Sequence, residues 1–384
     1  MSGPSILIFS PTDKGGIAEH TFYQARALRK LGASVICLVS SSFLGNRIID
    51  FALLRCLPAP VQGESGFYRK LRTAWRVITC RLILAFQIAK IRPDLVLLDS
   101  YVEYLSPFWI WPHWILSVLF GFRYAANLHD PVRNYVVGPN WWHRLSVRMA
   151  YLPLNFVLVH DRLPQSGLVP KKVSVIQVPV GIYEIDCTQI DARRIREQWG
   201  AKAGQKVFLS FGFVRDGKNI DLVIQALKRL PEAFLVVAGS VASASDKPFS
   251  YYRDLACKLG VMEQCHFWEG FVPDDAQGRY FAGADFVLLN YSRTFHSQSG
   301  VLSIAVACRK PVLASAGSSP LLESVRNYGL GEVIRPDEPE EVVLGMKKLL
   351  LEQYHSRWDE YRQAASWEAN AIEIMKMVKC VASM

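Results

Sequence analysis

Val207-Phe208-Leu209-Ser210-Phe211-Gly212-Phe213-Val214-Arg215-Asp216-Gly217-Lys218-Asn219 reads as a buried strand entering a tight turn, and the helical pattern Ile220 to Leu227 follows directly. Val207 to Phe213 is the apolar run expected of a strand covered on both faces. Gly212 and Gly217 permit tight backbone geometry, while Arg215 and Lys218 set two cations beside the start of the next helix. A diphosphate fits such a turn.

The same alternation continues on both sides. Strand-like runs at 5–9, 34–39, 94–98, 123–127 and 155–159 alternate with helical patterns such as Ala18 to Leu31 and Tyr68 to Ile91. After a polar, proline-containing region around 179–206, further runs follow the first at 233–238, 265–268, 285–289, 311–314 and 332–334. This order belongs to parallel α/β sheets, and 384 residues exceed one ordinary core. The expected organisation is a Rossmann-like domain at 1–178, a second at 179–366, and a helix at 367–384 returning to the first.

A net charge of +10 points to an anionic partner, whether nucleic acid, membrane surface or phosphorylated ligand. The eight cysteines form no CxxC pair, so reduced, packed thiols are expected, with neither disulfides nor zinc. Met1 to Lys14 runs into Ile6-Leu7-Ile8-Phe9 without a basic leader or cleavage site, which reads as a first strand and a cytoplasmic location.

Three further segments can carry chemistry. Gly15-Gly16 stands between the first strand and the first helix, where a ligand can approach backbone N–H groups; an ordinary strand-to-helix turn is the competing reading. Leu128-His129-Asp130-Pro131 sets an imidazole and a carboxylate at the carboxyl edge of a parallel sheet, where such sheets bind ligands. The loop Asn290 to Ser299 carries His296, Gln298 and Ser299 and opens onto a helix beginning at Gly300 and Val301, either as an anion site or as a simple helix cap.

These motifs, in this order, resemble the GT-B glycosyltransferases over nearly the whole chain, and specifically family 4. The likeness rests on Gly15-Gly16, Leu128-His129-Asp130, Val157 to His160, Val178-Pro179-Val180-Gly181, Phe211 to Arg215 with Lys218, Val236 to Gly239, Gly270-Phe271-Val272, Ala284-Asp285 and Ala305 to Ser315. The resemblance implies two Rossmann-like parallel-sheet domains facing a central cleft and a retaining hexosyl or pentosyl transfer from a nucleotide-sugar. It further implies that Arg215 and Lys218 hold the donor diphosphate, with Gly15, Gly16, Gly212, Gln298, Ser299, Gly300 and Val301 in the donor site. His129 would then sit by the transferred sugar. No metal ligands accompany the turn, so a metal-independent reaction without cofactor is expected.

Departures from the family pattern stand beside the matches. The two glutamates that family members commonly carry eight positions apart are replaced by His296 and Ile304. Phe213 stands where the first family arginine is usual, and Arg309 where a glycine is usual. The missing glutamates keep a second reading open, a catalytically silent nucleotide- or glycan-binding scaffold of a polysaccharide synthesis complex.

From Phe67 to Arg92 there is no acidic residue, while Arg69, Lys70, Arg72, Arg76 and Arg81 punctuate an apolar helical pattern. Trp109, Trp111, Trp114, Trp141 and Trp142 follow in apolar surroundings. Basic residues beside interfacial aromatics suit an anionic membrane surface, a solvated surface helix being the alternative. The uncharged run Tyr104 to Phe122 is interrupted by Pro107, Pro112 and His113, and reads as a buried or interfacial helix. No nucleic-acid motif accompanies the arginines. The expected partners are therefore a nucleotide-sugar, an anionic membrane surface and a lipid-linked or glycan acceptor. Polyprenyl diphosphate is one such carrier, and cell-surface polysaccharide synthesis at the inner face of the membrane is the expected setting.

Overall fold

The computed structural model describes residues 3–44, 48–61, 66–99, 101–129, 138–160, 170–187 and 190–382. The chain divides into two compact units, Met1–Gly181 with Ser366–Met384, and Ile182–Ala365.

The first unit runs β1 (Ser5–Ser10), α1 (Gly16–Lys30), β2 (Ser34–Ser40), β3 (Ala52–Leu57), α2 (Phe67–Ile91), β4 (Leu95–Leu98), α3 (Ser106–Phe120), β5 (Tyr124–Leu128), α4 (Asn140–Ala150), β6 (Phe156–Val159) and β7 (Ser174–Gln177). All seven strands are parallel, in the order β3-β2-β1-β4-β5-β6-β7. Parallel strands covered on both faces need continuous apolar runs, and Ile6 to Phe9, Leu95 to Leu98 and Val157 to Val159 are fully enclosed.

The second unit holds α5 (Ala192–Trp199), β8 (Lys206–Phe211), α6 (Ile220–Leu227), β9 (Ala233–Gly239), α7 (Phe249–Lys258), β10 (Cys265–Glu269), α8 (Asp274–Gly283), β11 (Phe286–Asn290), α9 (Gly300–Ala307), β12 (Val312–Ser315), α10 (Pro320–Tyr328), β13 (Gly331–Val333), α11 (Pro339–Leu351) and α12 (Trp358–Ala364). Its strands are also parallel, in the order β10-β9-β8-β11-β12-β13.

The last helix, α13 (Trp367–Ala382), belongs to the first unit. Trp367 stacks on Tyr23 of α1 with ring centroids 5.6 Å apart. The Gln24 amide donates to Asn370 at 3.0 Å, and the Asn370 amide donates to the Pro179 carbonyl at 2.8 Å.

In each sheet the strand order reverses once, between β1 and β4 in the first and between β8 and β11 in the second. At such a reversal the loops on either side diverge and leave a crevice beyond the carboxyl ends of the strands. Both candidate residue groups lie there.

Candidate active site

The second-unit group begins where β8 ends. Gly212, at φ 85°, turns the chain out of the sheet, a conformation that favours glycine. Its N–H donates to the Ala238 carbonyl at 2.9 Å, and its own carbonyl occupies the space that a side chain on Gly239 would need. Phe213, the last residue of the expected strand, is exposed and lies beyond β8, because this turn ends the ladder at Phe211.

Arg215 precedes the short 3-10 turn Asp216–Lys218, and Lys218 is its last residue. The Lys218 ammonium donates to the Phe211 carbonyl. Although part of the side chain is exposed, burial of the ammonium, with the Arg215 charge adding to it, pushes its pKa down to about 7. Arg215 itself is exposed, with its guanidinium 6.0 Å from the Phe213 ring.

The loop before α9 is tied to this turn, since the Ser292 N–H donates to the Gly217 carbonyl at 2.8 Å. Ser299 precedes α9, but its hydroxyl pairs with the Tyr291 hydroxyl at 2.9 Å and does not cap the helix. The Gln298 side-chain oxygen accepts from the Ser299 N–H at 3.2 Å. The first turn of α9 carries no acidic residue, and Gly300 is exposed. An uncapped helix start beside two cations attracts an anion through amide donors and helix dipole together. Arg215, Lys218, Gly212 and the segment Gln298 to Val301 are thus gathered at one end of one sheet.

His296, at the first of the two glutamate positions, donates through Nδ1 to the Ser318 carbonyl at 3.1 Å. Ile304 is buried in the core with Leu302 and Ala305, so an apolar residue is satisfied there. Arg309 adopts φ 49°, the left-handed backbone that a glycine takes without strain, and its guanidinium pairs with Asp359 at 2.9 Å.

The first-unit group centres on Asp99, which directly follows β4 and is fully buried. Its carboxylate accepts from the Thr21 hydroxyl and, at 2.8 Å, from the Asn127 amide. His20 Nδ1 lies 2.7 Å from Asp99 Oδ1, and His129 Nε2 lies 3.0 Å from the Asp99 carbonyl and 3.4 Å from Oδ1. Burial alone would raise this carboxyl, but the His20 charge interaction and the histidine hydrogen bonds outweigh it and hold the group well below its ordinary range. Burial, against the opposing pull of Asp99, lowers His20.

His160, which directly follows β6, completes the cluster. Burial, followed by the neighbouring His20 and His129, pushes it down to about 3. Gly15, at φ 81°, and Gly16 start α1 one turn before His20, with open space where their side chains would be. Asp130 and Pro131 lie outside the described residues.

Sequence reading singled out His129 but not His20, Asp99 or His160. A signal was present: three neighbouring parallel strands end in Leu98-Asp99, Leu128-His129 and Val159-His160, which puts three titratable residues at one sheet edge.

The basic and aromatic segment divides differently from expectation. Arg69, Arg72 and Trp111 are exposed, as are Phe67, Trp75, Phe108, Leu119 and Trp141. Trp109 is a correction: it is 1% exposed, because it forms one wall of the pocket holding Arg81, whose guanidinium lies 4.5 Å from its ring and 4.7 Å from Phe9. Arg81 accordingly is core rather than surface, and Arg76 is bound to the Pro58 and Pro11 carbonyls. No helix among the described residues is long and apolar enough to cross a membrane.

The expectation of no disulfide is also corrected. Cys187 is bonded to Cys308 across a Cα separation of 5.8 Å, a span that suits the bond. At 121 residues apart in sequence, the two leave no local spacing signature.

Comparison with known proteins agrees with this architecture. Residues 191–371 match the family described as glycosyl transferases group 1. D-inositol 3-phosphate glycosyltransferase of Mycobacteroides abscessus is 31% identical over 168 residues, 42% of this chain and 35% of that protein. The chain therefore spans about a third of that relative's length. Sucrose-phosphate synthase from Thermosynechococcus elongatus superposes with a TM-score of 0.72 at 16% identity, covering 99% of each chain. Anabaena HepE in complex with UDP superposes with a TM-score of 0.67 at 15% identity, covering 99% of this chain and 100% of that one. The chain has the two-sheet GT-B glycosyltransferase fold, with the group 1 glycosyl transferase match on its second unit.

Proposed function

We propose that this protein transfers a sugar from a nucleotide-sugar to a lipid-linked or glycan acceptor at an anionic membrane surface. The observation that carries the reading is the grouping of Arg215, Lys218 and the uncapped start of α9 at the strand-order reversal of the second sheet. Breaking a glycosidic bond to a diphosphate develops negative charge on the leaving group. Two cations and oriented amides stabilise that charge without a divalent ion. The UDP complex of the Anabaena protein makes a uridine diphosphate the first probe.

His129, in contact with the buried Asp99, is assigned to the transferred sugar. Its Nε2 is turned to the Asp99 backbone carbonyl at 3.0 Å, with the Asp99 carboxylate 3.4 Å away, and these contacts orient the ring. The acceptor is assigned to the first unit because the exposed apolar and basic residues of α2 and α3 are there. The setting that goes with this acceptor is polysaccharide synthesis at the inner membrane face.

The test is release of nucleoside diphosphate from a panel of UDP-, GDP- and ADP-sugars, with and without lipid-linked acceptor. We expect release with one donor, dependent on acceptor and unchanged when magnesium is left out. Donor binding without release in every pairing would overturn transfer and favour the scaffold reading that Ile304 motivates.

A further inference from the structure

We propose that His20, His129 and His160 bind a divalent transition-metal ion, with Asp99 as the carboxylate that orients the ligand rings. Each histidine offers one nitrogen, and the three nitrogens lie within 4.8 Å of one another. Ring centroids are 4.6 Å apart for His20 and His129, and 5.6 Å apart for each of the other two pairs. The three residues come from separate elements, α1 and the segments after β5 and β6, so nothing in local sequence forces them together.

The hydrogen bonding is incomplete in a way that a cation would complete. His160 Nδ1 donates to the Val178 carbonyl at 3.2 Å, which leaves the lone pair on Nε2. Among the described residues that Nε2 is buried with no hydrogen-bond partner, and so are both ring nitrogens of His20, whose Nδ1 meets Asp99 as an ion-pair contact at 2.7 Å. A buried polar atom without a partner is unfavourable, and here the two Nε2 atoms stand on neighbouring rings. A metal ion takes both lone pairs at once.

The surroundings fit the same ligand. Metal-bound histidines are commonly oriented by a carboxylate or backbone carbonyl on their other nitrogen. Asp99 at 2.7 Å from His20 Nδ1 and the Val178 carbonyl on His160 are such partners. A buried carboxylate offsets part of a dication's charge. Imidazole ligands select zinc, cobalt, nickel or copper over magnesium. Zinc–nitrogen distances of about 2.0–2.1 Å require the three rings to draw inward on binding. The ion would clamp the start of α1 to the ends of β5 and β6. Ligation takes the remaining ring nitrogen of His129 away from the transferred sugar, so the ion-bound form is not the transferring form; the site itself does not depend on the glycosyl-transfer reading, since a silent scaffold would bind the ion equally.

The test uses the full chain without an affinity tag, stripped with chelator and titrated with Co2+ and then Zn2+. Visible absorption of bound Co2+ should reach a plateau at a single ion per chain with nitrogen and oxygen ligation, and Zn2+ should displace it and raise the melting temperature. His160→Ala should abolish the Co2+ spectrum, and Asp99→Asn should weaken binding by about 10–100-fold. Both variants are first compared with the stripped parent by far-UV circular dichroism. A parent chain that binds no Co2+ overturns the proposal whatever the variants do. A thiolate charge-transfer band would also overturn it, assigning the metal to a free cysteine such as Cys56.

Discussion

Lys218 is held between its own carbonyl partner and the ligand assigned to it. Burial first, then Arg215, moves the ammonium from an ordinary 10.5 to about 7. Between those values the unfolded chain binds more protons than the folded one, so the cost of the buried charge, full below about pH 7, is relieved as pH rises. A diphosphate reverses this preference by favouring the ammonium. Binding of UDP at pH 8 should therefore take up a proton, and affinity should fall as pH rises above 7. Calorimetry in buffers of different ionisation enthalpy reads the uptake directly. Lys218→Ala should abolish it and weaken UDP by roughly 10–100-fold, the worth of a charge-assisted hydrogen bond of about 1.5–3 kcal/mol. Uptake that survives the substitution would assign the proton to another group. The cations of this turn were legible because strand, glycine and lysine adjoin in sequence. The Asp99 cluster was not, because His20, Asp99, His129 and His160 each look like a lone polar residue beside an apolar run. Only the parallel register of three strand ends brings them together.

At the scale of the element, α13 is fixed by one glycine. A side-chain carbon on Gly181 would stand 2.0 Å from the Trp367 ring, so the close approach of chain and indole requires glycine there. Gly181→Ala should force Trp367 aside and cost about 1–3 kcal/mol. Urea unfolding should show a lower midpoint with little change in slope; an unchanged midpoint would mean that α13 does not hold this position. Arg309→Gly tests the opposite case. It removes left-handed strain of about 1–2 kcal/mol, offset by glycine's greater freedom in the unfolded chain and by loss of an exposed ion pair of small worth. A net gain of up to about 1 kcal/mol is expected in the same measurement. Central strands were legible because enclosure on both faces demands unbroken apolar runs. The edge strands β3 and β7 were not, since Arg55, Cys56, Ser174 and Gln177 face solvent and break that pattern. Gly212 shortened β8 for a different reason, a backbone turn that hydropathy does not register.

For the whole molecule, a net charge of +10 gains meaning from where the exposed apolar surface lies. Tyr68, Leu71, Trp75, Leu82 and Phe86 recur along one stripe of α2, and all are exposed; Trp111 of α3 is 50% exposed and Leu119 73%. Folding buries such residues unless something else covers them. Arg69 and Arg72 beside the stripe suit an anionic lipid surface, each contributing about 1 kcal/mol to attraction. Arg76 and Arg81 do not belong to this face, because their guanidinium groups are bound within the unit. Reversing them would test folding rather than docking. The informative variant is Arg69→Glu with Arg72→Glu, sedimented with vesicles containing phosphatidylglycerol. Loss of both attractions should weaken binding by at least about tenfold, and raised salt should weaken the parent in the same direction as screening shortens its reach. Trp111→Ser should reduce binding that persists at high salt, since it removes apolar insertion rather than charge. Sedimentation equal to the parent in both variants would detach this surface from the membrane and leave the apolar stripe to a protein partner.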